Sequence, residues 1–264
     1  MKLTLQTDVY ADYQCLLNNR AIMDIRDYKS ACSRRDVVEV VLIQQALLLG
    51  GFLPPIKFIP GEYGLRYKGL LSAGKVLFSA DTFWLSETKQ DKDIYVSDVM
   101  IRRGEYTAGV YTASDNQKVL AVRSLDELQQ LTGISSRNWL VDWRVLERMQ
   151  LKQLIHEPVW SAQVQMIKHQ FADFMLAPFL DRPDLSYHLK EFTLVPVPGI
   201  AVELDDSRHF VVSKKHPLGK QAITALNKGI TILRSQGLIH KAYSDSGLFY
   251  PIEQKWTILN PSYH

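Results

Sequence analysis

The sequence is short of cysteine, of net charge and of long apolar runs, and each shortage removes a class of function. Cys15 and Cys32 are the only cysteines, too few for a zinc site of standard spacing. Net charge is +3, from 31 Lys and Arg against 28 Asp and Glu. No basic stripe stands out, so no nucleic-acid partner is expected. No apolar run is long enough to span a bilayer; the longest, Val37 to Gly51, is interrupted by Glu39 and the Gln44-Gln45 pair. Catalytic motifs are missing as well. The seven histidines (His156, His169, His188, His209, His216, His240 and His264) form no His-x-x-x-His pair of the kind that binds a metal. Gly-x-Ser-x-Gly, Gly-x-Gly-x-x-Gly and the Gly-Lys-Ser/Thr phosphate loop are absent. No catalytic set, metal or cofactor is therefore expected.

The hydrophobic fraction of 46% and charged fraction of 22% are those of a soluble globular chain. Its 264 residues suffice for one large domain or two lobes. The start, Met1-Lys2, leads straight into an alternation from Leu3 to Tyr10. A basic segment followed by an apolar core is not seen there, which leaves a cytoplasmic protein or a mature sequence with an added Met. Cys15 and Cys32 lie in a weakly periodic stretch before the first predicted helix. A disulfide would pin that stretch, two idle thiols are the alternative, and the redox compartment decides.

Along the chain, the alternation predicts a first strand ending at Tyr10 to Tyr13. Ser33-Arg-Arg-Asp36 reads as a capping-box variant opening a helix that Gly50-Gly51 ends. A strand over Ile56–Ile59, a helix from about Tyr63 to Ser72 and a short strand over Val76–Phe78 complete βαβαβ, which favours a parallel sheet. Asp93–Val96 and Thr107–Tyr111 read as strands. Ser124 caps a short helix to Leu131, with Glu127 three residues on. Ser135-Ser136 caps a helix over Asn138–Met149. Leu154-Ile155, a helix ending near Gln170 and the strand Asp173–Leu176 form a second α/β unit. Val211–Ser213 returns, and helices over Leu218–Ser235 and Leu238–Ser244 follow, with Gly237 between them.

Gly69 to Trp84 and Val164 to Phe179 repeat one design: the end of an amphipathic helix, a tight turn, a short apolar strand and a loop at its C-terminal end. Open α/β sheets bind ligands at that place, and two such units predict two lobes about a cleft. The candidate ligand residues follow from it. Tyr10, Asp12 and Tyr13 leave the first strand, on a loop of the kind that carries function; a solvated loop with a packed Tyr is the alternative. Asp81, Thr82 and Trp84 occupy the first ligand loop, where an aromatic beside a carboxylate suits a flat or cationic group; Trp84 packed beneath the loop is the alternative. Ser135, Ser136 and Arg137 open the second-unit helix, where free N–H groups attract an anion; an ordinary cap is the alternative. Arg34 and Arg35 read as exposed, and Trp139 and Trp143, four apart, as a packed helix face.

Three segments carry a resemblance to a known family. They are Leu70-Leu-Ser-Ala-Gly-Lys-Val-Leu-Phe-Ser79, Ala172-Asp-Phe-Met-Leu176, and the helix pair from Ala225 to Tyr243. Their order, over nearly the whole chain, resembles the periplasmic solute-binding proteins (family 3), the class of the amino-acid receptors of ABC importers. The resemblance implies an α/β, two-lobed, type II periplasmic-binding-protein fold. Lobe one would comprise residues 1–108 and 211–264, and lobe two 109–210. Thr107 to Thr112 and Phe210 to Lys214 would cross between them, with Thr107, Tyr111 and Val212 as hinge residues. It further implies a monomer in the periplasm, its leader removed, with a small-molecule ligand and a transporter permease as partners.

Two departures bear on the ligand. The family places an Arg shortly after the lobe-one loop, to grip a ligand carboxylate; here Asp81-Thr-Phe-Trp-Leu-Ser-Glu87 contains none. It places an Asp after the lobe-two strand, for the ligand ammonium; here Ala177-Pro178-Phe179 follow, so Pro178 and Phe179 would line the site instead. The leading expectation is a binding protein that closes on a small polar or aromatic solute. An enzyme on the same fold, with Asp81 or Asp12 as a raised acid, and a sensory module are the rivals. Free α-amino acids are expected to bind poorly, because a buried zwitterion without charged partners loses its hydration uncompensated. A thermal-shift screen of the twenty amino acids checks this; saturable stabilisation by any of them at micromolar concentration contradicts it.

Overall fold

A computed structural model describes residues 2–61, 66–180, 183–190, 192–249 and 256–260. Contacts divide the chain into two units, Met1–Arg102 with Ser207–Phe249 and Arg103–Asp206 with Tyr250–His264. The resemblance implies that residues 211–264 belong to the first lobe, whereas the strand at Thr257–Ile258 pairs within the second unit.

In the first unit, β1 (Lys2–Leu5) pairs in parallel with β2 (Lys57–Pro60). The expected strand to Tyr10 is cut short by a helix, α1 (Thr7–Leu17). Its buried residues, Val9, Tyr13 and Leu16, stand at helical spacing, and this outweighs the alternation before them. The next helix is α2 (Arg35–Leu49). The expected capping box does not form: Arg34 takes the N-cap without a side-chain cap bond, and Ser33 Oγ is buried without a partner. After β2 come α3 (Arg66–Ser72), β3 (Phe83–Trp84), α4 (Leu85–Thr88) and β4 (Ile94–Ile101). The start expected for α3, Tyr63 to Leu65, lies outside the described residues. The expected strand Val76–Phe78 makes only a single bridge, from Phe78 to Val212.

In the second unit, β5 (Thr107–Ala113), α5 (Gln117–Leu120), α6 (Leu125–Gln129), β6 (Thr132–Ser135), α7 (Leu140–Arg148), β7 (Gln153–His156), α8 (Trp160–Lys168) and β8 (Phe174–Ala177) follow in turn. Then come β9 (Tyr187–Leu189) and the long β10 (Phe192–Glu203). The chain re-enters the first unit as β11 (Arg208–Ser213), α9 (Gly219–Ser235) and α10 (Leu238–Asp245), and β12 (Thr257–Ile258) returns to the second.

The second unit's sheet has the order β12-β10-β5-β8-β6-β7, with β9 on β10. Tyr111, Ile134, Val164, Met175 and Leu194 fill its core. Among the described residues the first unit has no single parallel sheet: β1–β2 stands apart from an antiparallel sheet of order β3-β11-β4. The βαβαβ expectation is corrected accordingly. The expected hinge residues Thr107 and Tyr111 lie within β5, and Val212 within β11; Tyr111 and Val212 are fully buried.

The first unit is organised around α2. Every residue from Val37 to Leu47 is buried, because α1, α9 and α10 all pack against it. A helix buried all round needs partners for its polar residues. Gln45 finds them, donating to the carbonyls of Ile22 and Ile25 at 2.8 Å each and accepting from Tyr28 Oη at 2.9 Å. The crossing of α2 and α9 is close. A Cβ on Gly229 would stand 1.8 Å from the Ala46 carbonyl oxygen, and one on Gly50 1.9 Å from that of Ala225.

Cys15 and Cys32 form a disulfide that ties the end of α1 to the approach of α2 across 17 residues. Replacing both by Ser should lower stability by about 3 kcal/mol, the loop-closure entropy of so short a ring; denaturant titration measures it. Gly229→Val should cost a further 1–3 kcal/mol or so by forcing α9 off α2. A variant with an unchanged midpoint would contradict this close crossing.

Candidate functional site

A cavity of about 210 Å³ opens in the first unit where β1 meets α1, α2, α3 and the loop before β3. Leu5 and Val9 supply aliphatic wall. Tyr67 and Phe83 supply aromatic wall, their rings stacked 7° from parallel with centroids 6.3 Å apart. The polar lining includes Asp81, Asp36 and Thr4.

The loop that presents Asp81 is held from both sides. Tyr67 Oη donates to the Phe78 carbonyl at 2.9 Å and accepts from the Ala80 amide at 3.2 Å. On the other side is Glu39, fully buried in α2. Its carboxylate accepts from the Thr82 amide at 2.9 Å, the Thr82 hydroxyl at 2.7 Å, Tyr243 Oη at 3.0 Å and Arg35 Nη1 at 2.7 Å. Burial and the neighbouring Glu39 carboxylate push the Tyr243 phenol well above its usual range, so it stays a donor. Arg208 on β11 closes the arrangement. Its Nε donates to Thr82 Oγ1 at 2.9 Å, its Nη2 donates to the Thr82 carbonyl, and its guanidinium lies 4.5 Å from the centre of the Trp84 ring. Thr82 Oγ1 thus donates to Glu39 and accepts from Arg208, so both the buried carboxylate and the half-buried guanidinium have partners.

Asp81 is left at the cavity wall. Burial raises its carboxyl to about 6; Glu39 and Asp36 add to the rise, and Arg35 and Arg208 oppose it. Asp36 is also raised, chiefly by burial, against the pull of Arg35 and Arg34. Arg34 bonds Asp36 at 2.7 Å, Asp8 at 2.7 Å and Asp12 at 3.0 Å, so that one guanidinium ties α1 to α2.

The expected site residues divide sharply. Asp81 lines the cavity, and Thr82 lies buried behind it. Trp84, expected at a cleft mouth, is 6% exposed and packs under Arg208. Tyr10, Asp12 and Tyr13 lie on α1 rather than a loop. Tyr13 is buried against Phe58 and bonded to Gln44, Tyr10 packs at a tilt against Phe58, and Asp12 pairs with Arg34. Arg34 and Arg35, expected to be exposed, are ion-paired and only 38% and 25% accessible.

In the second unit the expected helix cap is corrected. Ser135 ends β6, and α7 starts only at Leu140, with Trp139 before it giving no cap bond. Ser136 Oγ accepts from the Asn138 amide at 3.1 Å, which is a turn and not a cap. The Arg137 amide donates to His156 Nδ1 at 3.1 Å, and its guanidinium lies over Trp143. Pro178 is exposed, while Phe179 is 3% exposed and packs on Tyr111 and Trp256. Phe179 belongs to the core of the second unit.

Sequence reasoning missed Glu39, Arg208, Thr4 and Tyr67. Only Glu39 left a signal: a charge in the middle of an otherwise apolar helix requires a buried partner.

Two expected outcomes follow. Glu39→Ala removes one acceptor from four donors and should cost about 3–5 kcal/mol, read by denaturant titration. Asp81→Asn should stabilise the protein at neutral pH. The folded carboxyl titrates near 6 and the unfolded one near its usual 3.8. Stability therefore falls as pH rises between those values, since the folded state binds more protons there. At about 1.4 kcal/mol per unit, the gain in the Asn variant should reach up to about 3 kcal/mol above pH 7 and vanish near pH 3. Equal effects at both pH values would contradict the raised carboxyl.

No family model matches the chain, and no curated protein matches it. Solved structures do. The periplasmic VFT2 domain of BvgS from Bordetella pertussis is 14% identical, covering 80% of this chain and 83% of that one, with a TM-score of 0.57. The L-cystine solute receptor of Neisseria gonorrhoeae, unliganded and open, is 12% identical over 94% of each chain, at 0.54. The ancestral amino acid-binding protein AncCDT-1, a precursor of cyclohexadienyl dehydratase, is 13% identical over 95% of each chain, at 0.55. At these identities the likeness shows the fold, which is that of the two-lobed, type II periplasmic-binding-protein domains.

Proposed function

We propose that this chain is a solute-binding protein, with the Asp81 cavity as the first unit's share of the ligand site. The observation that carries the reading is a braced acidic cavity in a fold whose solved examples include a solute receptor and an amino acid-binding protein. The loop is locked by Glu39, Tyr67 and Arg208, so a solute meets groups already in place, and little binding energy goes into ordering them. Binding shifts the two units from an open to a closed arrangement, and a membrane partner reads the closed form. An ABC importer permease in the periplasm is the partner that fits this class; the VFT2 neighbour makes a sensor the second candidate for the reader. Amino-acid specificity is not carried over, because the stretch Asp81 to Glu87 lacks the carboxylate-gripping Arg that the resemblance calls for, and Ala177-Pro178-Phe179 follow the second-unit strand in place of its Asp.

A second reading rests on Asp81. A carboxyl near 6 can serve as a general acid or base at neutral pH, and one structural neighbour is the precursor of a dehydratase. Turnover of a bound solute, lost in Asp81→Asn, would support it.

Natively purified protein should retain a solute visible by native mass spectrometry. That solute, added back to stripped protein, should raise the melting temperature saturably and reduce the radius of gyration in small-angle scattering. A solute that binds without compaction would contradict closure. No binding across a broad panel of amino acids, amines, carboxylates and sugars would contradict the solute-binding reading itself.

A further inference from the structure

Ser207 immediately precedes β11, and His209 is the second residue of that strand. Their side chains meet, with Ser207 Oγ 2.9 Å from His209 Nε2. The other ring nitrogen, Nδ1, lies 2.8 Å from the backbone carbonyl oxygen of Ser97 on β4. A carbonyl can only accept, so Nδ1 carries the ring proton. In the neutral imidazole Nε2 is then an acceptor, and the Ser207 hydroxyl donates to it. The bonds run in one direction, from hydroxyl to Nε2 and from Nδ1 to carbonyl. That is the order of a nucleophile, its general base and the group that orients the base.

Each member is held in place. The Leu85 amide donates to the Ser207 carbonyl at 2.9 Å. Ser97 is fixed through its own hydroxyl, which donates to the Asp98 carbonyl at 2.7 Å and accepts from the Phe210 amide at 3.0 Å. The carbonyl that orients the ring is thus tied to the residue that follows the histidine. His209 is buried and Ser207 is partly exposed, so the base is sheltered while the hydroxyl faces a route from solvent. A neutral carbonyl steadies an imidazolium less than a carboxylate does. The pair therefore suits acyl donors whose leaving group departs readily.

We propose that Ser207 is a nucleophile activated by His209, acylated by small esters or thioesters with a good leaving group. Ser207 Oγ bonds to the acyl carbon while its proton passes to His209 Nε2, and the Ser97 carbonyl accepts from Nδ1 of the imidazolium that results. The bond to the leaving group then breaks, and that group departs with the Nε2 proton. Water attacks the acyl-serine and gives a proton to Nε2. The carboxylic acid leaves as that proton returns to Ser207 Oγ. The inference uses no group of the Asp81 cavity and does not rest on the solute-binding reading.

The test is stopped-flow reaction of the full chain with p-nitrophenyl acetate, followed by intact mass spectrometry and peptide mapping. p-Nitrophenolate should appear as a burst, the chain should gain one acetyl group, and the label should map to Ser207. The burst should vanish in Ser207→Ala. His209→Asn keeps a donor for the Ser97 carbonyl but removes the base, and should slow acylation about a hundredfold or more. Circular dichroism checks that both variants fold. In the unaltered chain the rate should rise as the imidazole loses its proton and should show a solvent deuterium isotope effect. A burst retained in Ser207→Ala, acetyl groups on lysines or tyrosines but not on Ser207, or an unchanged rate in folded His209→Asn overturns the inference. So does a Ser207 acylation rate that is flat between about pH 5 and 8, a result that needs no variant to fold.

Discussion

The first unit depends on one buried carboxylate and what it holds. Glu39 sits where α2 is buried on every side, and an unpaired charge there would cost several kcal/mol, on the order of 3–5. Its partners come from three separate parts of the chain: Arg35 beside it, Thr82 on the loop and Tyr243 on α10. Satisfying Glu39 therefore means bringing α10 and the loop before β3 to the same spot. Arg208 adds a fourth part, reaching Thr82 from β11 and covering Trp84. The loop is thereby locked on its buried side, and Asp81, between Ala80 and Thr82, is presented to the cavity as a consequence.

The same charges set the character of the cavity. Glu39 and Asp36 raise the Asp81 carboxyl while Arg35 and Arg208 hold it down, and burial tips the balance upward to about 6. A carboxyl so poised is costly to keep ionised in the folded protein, a perturbation of the kind that marks a candidate functional group.

Much of the outline was legible in the sequence, because long elements announce themselves. The α9 period of Ala222, Leu226, Ile230 and Leu233, the Gly237 break and the Ser124 cap of α6 all appear in the structure. The failures have physical causes. Residues 3–10 alternate, yet Val9, Tyr13 and Leu16 also satisfy a helical face, and packing on α2 decides. The strand β10 was invisible because Pro196, Pro198 and Gly199 read as breakers; it survives by shifting register between Pro196 and Ala201. Asp81 and Thr82 were singled out from the repeated loop, whereas Arg208 was not. Nothing local distinguishes Arg208, since its bonds to Thr82 reach far along the chain.

The most direct measurement is the titration of the Asp81 carboxyl itself, followed by carbon NMR on protein labelled at the Asp side-chain carboxyls and assigned with Asp81→Asn. The account predicts a midpoint near 6 in ligand-free protein, displaced when a solute occupies the cavity. An ordinary midpoint near 3.8 in the free protein, unmoved by any solute that binds, would contradict it.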